Sequence, residues 1–126
     1  MDEMTRPGAL LPALEHAQAV DALSKELHAL VLEKGFVVHL STLQKVEQAV
    51  ARCLALQALA AHAGLERPWG IVLAECQAVY IELENRQREP ETLVEGDELV
   101  RLIDGMAKAA EAFRTEAYQQ ADAARA

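Results

Sequence analysis

Apolar residues recur along this chain at intervals of three, four and seven, the spacing of a single helix face, in four separate stretches. In the first, Leu14, Val20, Leu23, Leu27, Leu30 and Val31 form one stripe, and Glu15, Asp21, Lys25 and Glu33 fall largely off it. Pro12 suits an opening turn, where its missing N–H is not needed. Lys34 complements the dipole at the far end, and Gly35 supplies a left-handed exit. Residues 1–11 contain Pro7 and Gly8 without apolar period and are expected to form a flexible leader.

Phe36-Val37-Val38-His39-Leu40 is a short apolar run with no second strand to pair with, and it predicts a buried extended link. Ser41-Thr42-Leu43-Gln44 has capping-box spacing, with Leu40 placed to staple against Val46. A second helix is predicted from Thr42 to His62, ended by Gly64. Leu43, Val46, Val50, Cys53, Leu54, Leu56 and Leu59 give it an apolar face broadened by many alanines. A helix apolar over more than one stripe is buried from more than one side. This segment is therefore the expected centre of the fold, or the helix that also faces another subunit.

Leu65 to Gly70 reads as a turn, with Pro68 opening a third helix that carries Val72, Cys76, Val79, Tyr80 and Leu83 and stops before Pro90. A fourth helix starts at residue 93, from the capping-box spacing Thr92-Leu93-Val94-Glu95, or at 98, capped by Asp97. Its stripe of Leu99, Leu102, Ile103, Met106, Ala110, Phe113 and Ala117 is nearly a heptad seam. Gly105 within that seam points to close packing or to a weak spot. Residues 119–126 hold no large apolar side chain and are expected to fray. Four amphipathic segments on short links predict an all-α, antiparallel four-helix bundle spanning residues 12–118 as one domain.

Composition agrees with the helical reading. Of 126 residues, 24 are Ala and 18 are Leu, while aromatic residues make up only 4%. No apolar run reaches the roughly 18 residues needed to cross a bilayer. The acidic start Met1-Asp2-Glu3-Met4 is unlike a signal peptide, so a cytoplasmic, non-membrane protein is expected. The alanine-rich composition suggests a bacterial source.

Net charge is −8, which disfavours direct binding to nucleic acid. The acids are unevenly placed. Glu82, Glu84, Glu89, Glu91, Glu95, Asp97 and Glu98 face only Arg86 and Arg88 within the same run. Read functionally, that run is a docking surface for a basic partner; read plainly, it is a solvated loop.

Candidate chemistry is sparse. His16, His28, His39 and His62 include no pair three or four apart, so no helical metal motif and no cofactor is expected. Cys53 and Cys76 sit mid-helix on apolar stripes, where free cysteine behaves as a small hydrophobe. If both segments face one core the two thiols come near each other, but inert core cysteines are the expectation. Ser41 is accounted for as a cap, and neither a nucleophile elbow nor a phosphate-binding loop is present.

The sequence therefore predicts a small non-enzymatic helical protein acting through protein–protein contacts. A homodimer is expected, with Leu43, Val46, Val50, Leu54, Leu56, Leu59 and Trp69 as its apolar face. Two alternatives stand beside this. One is an acidic antagonist that occupies the nucleic-acid-binding site of a basic partner; the other is a bundle binding a small molecule or a metal in its core.

Overall fold

The computed structural model describes residues 10–33, 36–88 and 96–125. These form five helices and, among the described residues, no strand: α1 (Leu11–Val31), α2 (Leu40–Ala55), α3 (Gln57–His62), α4 (Glu66–Arg88) and α5 (Gly96–Arg125). No helix of the described residues is long and apolar enough to cross a membrane.

The centre of the fold is α5, which packs extensively against both α1 and α4. Of the near-heptad set, Leu99, Ile103, Met106, Ala110, Phe113 and Ala117 face inward and are buried, and Leu102 is half-buried against the core. The expectation that the 42–62 segment is the centre is corrected here: α2 packs mainly on α4 and only lightly on α1. Its alanines are the reason. Ala51, Ala55, Ala58 and Ala61 are exposed, and alanine stabilises a helix by backbone propensity without needing a core to face.

That segment is also broken. Leu56 leaves helical geometry at φ −98° and ψ 2°, separating α2 from α3. The twist turns Leu56 into the core. Beyond it the chain exits through Gly64 in the left-handed region, φ +77°. Leu65 N–H donates to Ala60 O at 2.9 Å and Gly64 N–H to Ala61 O at 3.0 Å, the paired bonds of a Schellman ending.

Three local expectations need correcting. Helix α2 begins at Leu40 rather than Thr42, its N-cap is His39 in extended geometry, and no side chain makes a capping bond. The 41–44 capping box does not form because those residues are already helical, and Leu40 is exposed rather than stapled. Helix α4 starts at Glu66, so Trp69 and Gly70 are helical rather than part of a turn. Pro68 is tolerated there because N–H groups of a first turn have no intrahelical acceptor. Helix α5 begins at Gly96, between the two starting points weighed, and is helical to Arg125 past the predicted fraying point. Ala121 in that extension is buried. The link 36–39 is non-helical as expected, but it is not the buried run predicted: Val38 alone is buried, Phe36 is half-buried, and Val37, His39 and Leu40 are exposed, because a single pass of chain over the surface can turn only some of its side chains inward. The Lys34–Gly35 exit and the 92–95 capping box lie outside the described residues.

Candidate functional site

The break at Leu56 has a chemical consequence one turn earlier. In an unbroken helix the carbonyl of Cys53 would be committed to the N–H of Gln57. Here it accepts the indole Nε1–H of Trp69 at 2.8 Å, a buried bond from α4 to α2. One turn before that, the carbonyl of Ala49 accepts from His16 Nε2 at 3.0 Å, tying α1 to the same stretch of α2. The His16 ring lies 6.0 Å from Trp69, which meets Phe113 of α5 edge-on at 4.7 Å. All four long helices thus contribute to one buried polar-aromatic cluster.

Both cysteines belong to it. Cys53 and Cys76 are free thiols with no exposed surface, in the same core cluster as Trp69 and Phe113. The Cys76 thiol, donating to the Cys53 sulfur, pulls Cys53 down to about 6, against burial, which opposes the charge, and with His16 adding to the fall. Cys76 moves the other way: its role as donor to Cys53, then burial and the nearby Cys53 and Glu75 charges, push its thiol up. The His16–Cys53–Cys76 grouping was not legible as a site in the sequence. The three residues are far apart in the chain; the two cysteines each read as part of an apolar stripe, and His16 as a histidine without a partner one turn away. The signal available was that all three fall on inward faces. Among the described residues no group of three or more His, Cys, Asp or Glu side chains is placed to hold a metal ion.

The residues expected to form an apolar interface are differently occupied. Leu43, Val46, Leu56 and Trp69 are buried inside the domain, and Val50 and Leu59 are half-buried against its core. Only Leu54, 50% exposed, is on the surface. Of the exposed large apolar residues, Leu32 at 66% and Leu40 at 62% flank the α1–α2 link and Val37 at 57% lies in it, while Tyr118 at 58% is on α5 and Ile81 at 55% on α4.

Of the acidic run, the described acids each have an arginine beside them. Arg86 Nε donates to Glu82 at 2.9 Å, Arg88 lies 3.5 Å from Glu84, and Arg101 pairs with Glu98. Tyr80 Oη lies 3.2 Å from both Glu47 of α2 and Glu84, and burial followed by these carboxylates pushes its pKa up. Glu89, Glu91 and Glu95 lie outside the described residues, as does the side chain of Asp97.

Surface grooves complete the inventory. One of about 520 Å³ runs between Gly64, Arg67, Pro68 and Ile71 and the α5 residues Ala109, Ala112 and Glu116. Another, of about 250 Å³, follows the thin α1–α2 seam and has His16 among its lining residues with Leu23, Lys45 and Gln48. The chain matches no protein-family model, no curated protein and no solved structure.

Proposed function

We propose that this is a non-enzymatic helical protein that works through protein–protein contacts, built as an antiparallel four-helix bundle in which α2 and α3 serve as one broken helix. The observation that carries the reading is the cluster of Leu32, Val37 and Leu40, three aliphatic side chains within nine residues, each more than half exposed. Scattered surface leucines need no explanation, and the reading rests on these three falling so close together in the chain, since exposed apolar groups that gather mark contact sites.

The occupant we favour is a second copy of the chain. Two-fold self-association is the commonest use of such a patch on a small soluble domain. A basic partner has less support, because the described acids at 82, 84 and 98 already stand beside arginines, which offset their local potential. The small-molecule and metal reading has no observation in its favour.

Sedimentation equilibrium on the wild type and on Val37→Asp/Leu40→Glu tests the reading. A concentration-dependent dimer that the double variant abolishes, at unchanged helicity, is the expected result. A wild type that stays monomeric across the accessible range would remove self-association from consideration.

A further inference from the structure

Of the seams between neighbouring long helices, those of α5 with α1 and α4 and of α2 with α4 are closely packed, and the one between α1 and α2 is not. A groove of about 250 Å³ runs along it, bordered by Ala19 and Leu23 on one side and by Lys45 and Gln48 on the other. Two bonds across the seam fix how its walls line up. His16 Nε2 lies 3.0 Å from Ala49 O, and Lys45 Nζ lies 2.9 Å from Glu26 Oε1, so α1 and α2 run antiparallel.

The charges on these walls are sorted by sign. On α1, Glu15, Ala19 and Glu26 recur at intervals of four and seven, which places them on one stripe, and all three are exposed. On α2, Lys45, Gln48 and Arg52 recur at three and four and are exposed likewise. One wall is therefore acidic and the other basic. Glu26 and Lys45 meet within one copy. Glu15 and Arg52 stand together at the far end of the seam, one and three residues beyond the His16–Ala49 bond, within about one turn of the same level. Neither has an ion-pair or hydrogen-bond partner among the described residues.

We propose that the α1–α2 seam is the interface of a two-fold homodimer, in which each copy lays its acidic α1 wall on the basic α2 wall of the other.

The inference rests on the reading of Leu32, Val37 and Leu40 as a self-association surface and extends it down the molecule. The link carries the chain from the end of α1 to the start of α2, so the seam begins where that patch ends. A two-fold axis along the groove, parallel to the helices, turns α1 of one copy onto α2 of the other without shifting either along its length. Glu15 then faces Arg52 of the second copy, and the same pair recurs on the other side of the axis, as an isologous contact requires. Glu26 and Lys45, already paired, bring no lone charge into the middle. An axis across the helices would instead set α1 on α1, acid against acid, an arrangement that like-charge repulsion disfavours. On a chain of net charge −8, a wall pair whose four charges cancel is a face that a second copy meets without repulsion. Closing the groove also removes Ala19 and the half-buried Leu23 from water.

The test is sedimentation equilibrium on four forms of the full chain: wild type, Glu15→Arg, Arg52→Glu, and the two reversals together. Each single reversal sets like charges opposite one another at both symmetry-related positions, and is expected to weaken the dimer about tenfold. The double reversal re-forms opposite pairs and is expected to return the dissociation constant to within a few-fold of wild type. Both side chains are exposed and unpaired within a copy, so circular dichroism should show all four forms equally helical. Single variants that dimerise as the wild type does, or a double variant weaker than either single one, would overturn the seam as the interface. If Val37→Asp/Leu40→Glu still abolished that dimer, the reading of the link would outlive such a result. A monomeric wild type would remove both.

Discussion

The indole Nε1–H of Trp69 donates to the carbonyl of Cys53 at 2.8 Å, taking an acceptor that the break at Leu56 releases from helical bonding. An aromatic anchor on α4 and a discontinuity in α2–α3 are therefore one construction. Trp69→Phe keeps an aromatic ring but removes the donor and part of the volume. It is expected to cost about 2–4 kcal/mol, combining an unpaired buried carbonyl with a void. Urea unfolding followed by circular dichroism measures it. A loss below half a kilocalorie would mean the bond is incidental.

Gly64 and Gly105 respond oppositely to alanine. Gly64 at φ +77° occupies backbone space that a Cβ penalises, so Gly64→Ala should lower stability by about 1–2 kcal/mol. At Gly105 a Cβ would come 2.7 Å from Glu75 Oε2, the tip of a flexible side chain that can swing aside. Gly105→Ala should therefore keep most of the roughly 1 kcal/mol that alanine gains over glycine within a helix. Thermal unfolding of the two variants side by side decides both.

Adjacent leucines on α2 and its break separate core from surface. Leu56→Glu places a carboxylate at a position 7% exposed and should unfold the domain outright. Leu54→Glu, at a position 50% exposed, should change stability by no more than about 0.5 kcal/mol. Circular dichroism at equal concentration reads the difference. Leu56→Glu would thus report on folding rather than on assembly.

The cysteine pair gives stability a pH dependence with a definite sign. Folded Cys53 ionises at about 6, through the Cys76 donor chiefly, while an unfolded thiol ionises near 8.5. Between these values the unfolded chain binds more protons, so stability rises with pH, is complete above the unfolded value, and is lost as pH falls through the folded one. Cys76, pushed up, contributes in the opposite sense, an advantage present below the ordinary thiol range and lost above it. Denaturation midpoints should therefore climb from mildly acidic to mildly basic pH and then turn down. In Cys53→Ser the climb should flatten; an unchanged slope would exclude the thiol as its source.

Much of the helical layout was legible because the α5 stripe, Leu99 to Ala117, repeats with little ambiguity, and because Gly64 is a strong stop signal. The break at Leu56 was not. It replaces no apolar residue and adds no glycine or proline, and the bond from Trp69 of α4 to the freed carbonyl joins residues 16 apart in the chain. Ser41 and Gln44 had the correct spacing for a capping box, but helix formation two residues earlier, at Leu40, took away the geometry. For the site, pattern located Cys53 and Cys76 on inward faces, yet their mutual contact and the approach of His16 depend on which helices become neighbours. Alanine content misdirected the centre of the fold, since apolar composition does not distinguish a buried methyl from an exposed one.

The short helix α3 has a consequence for the chain's integrity. Six residues, Gln57–His62, fall well below the ~12–15 that sustain an isolated helix, and its packing partner is chiefly α4. Local opening there disrupts little else. A protease added to the native protein should accordingly nick the backbone within this stretch first. The two fragments would stay together, because α1 and α2 remain on one side of the cut and α4 and α5 on the other, each gripping a partner across it.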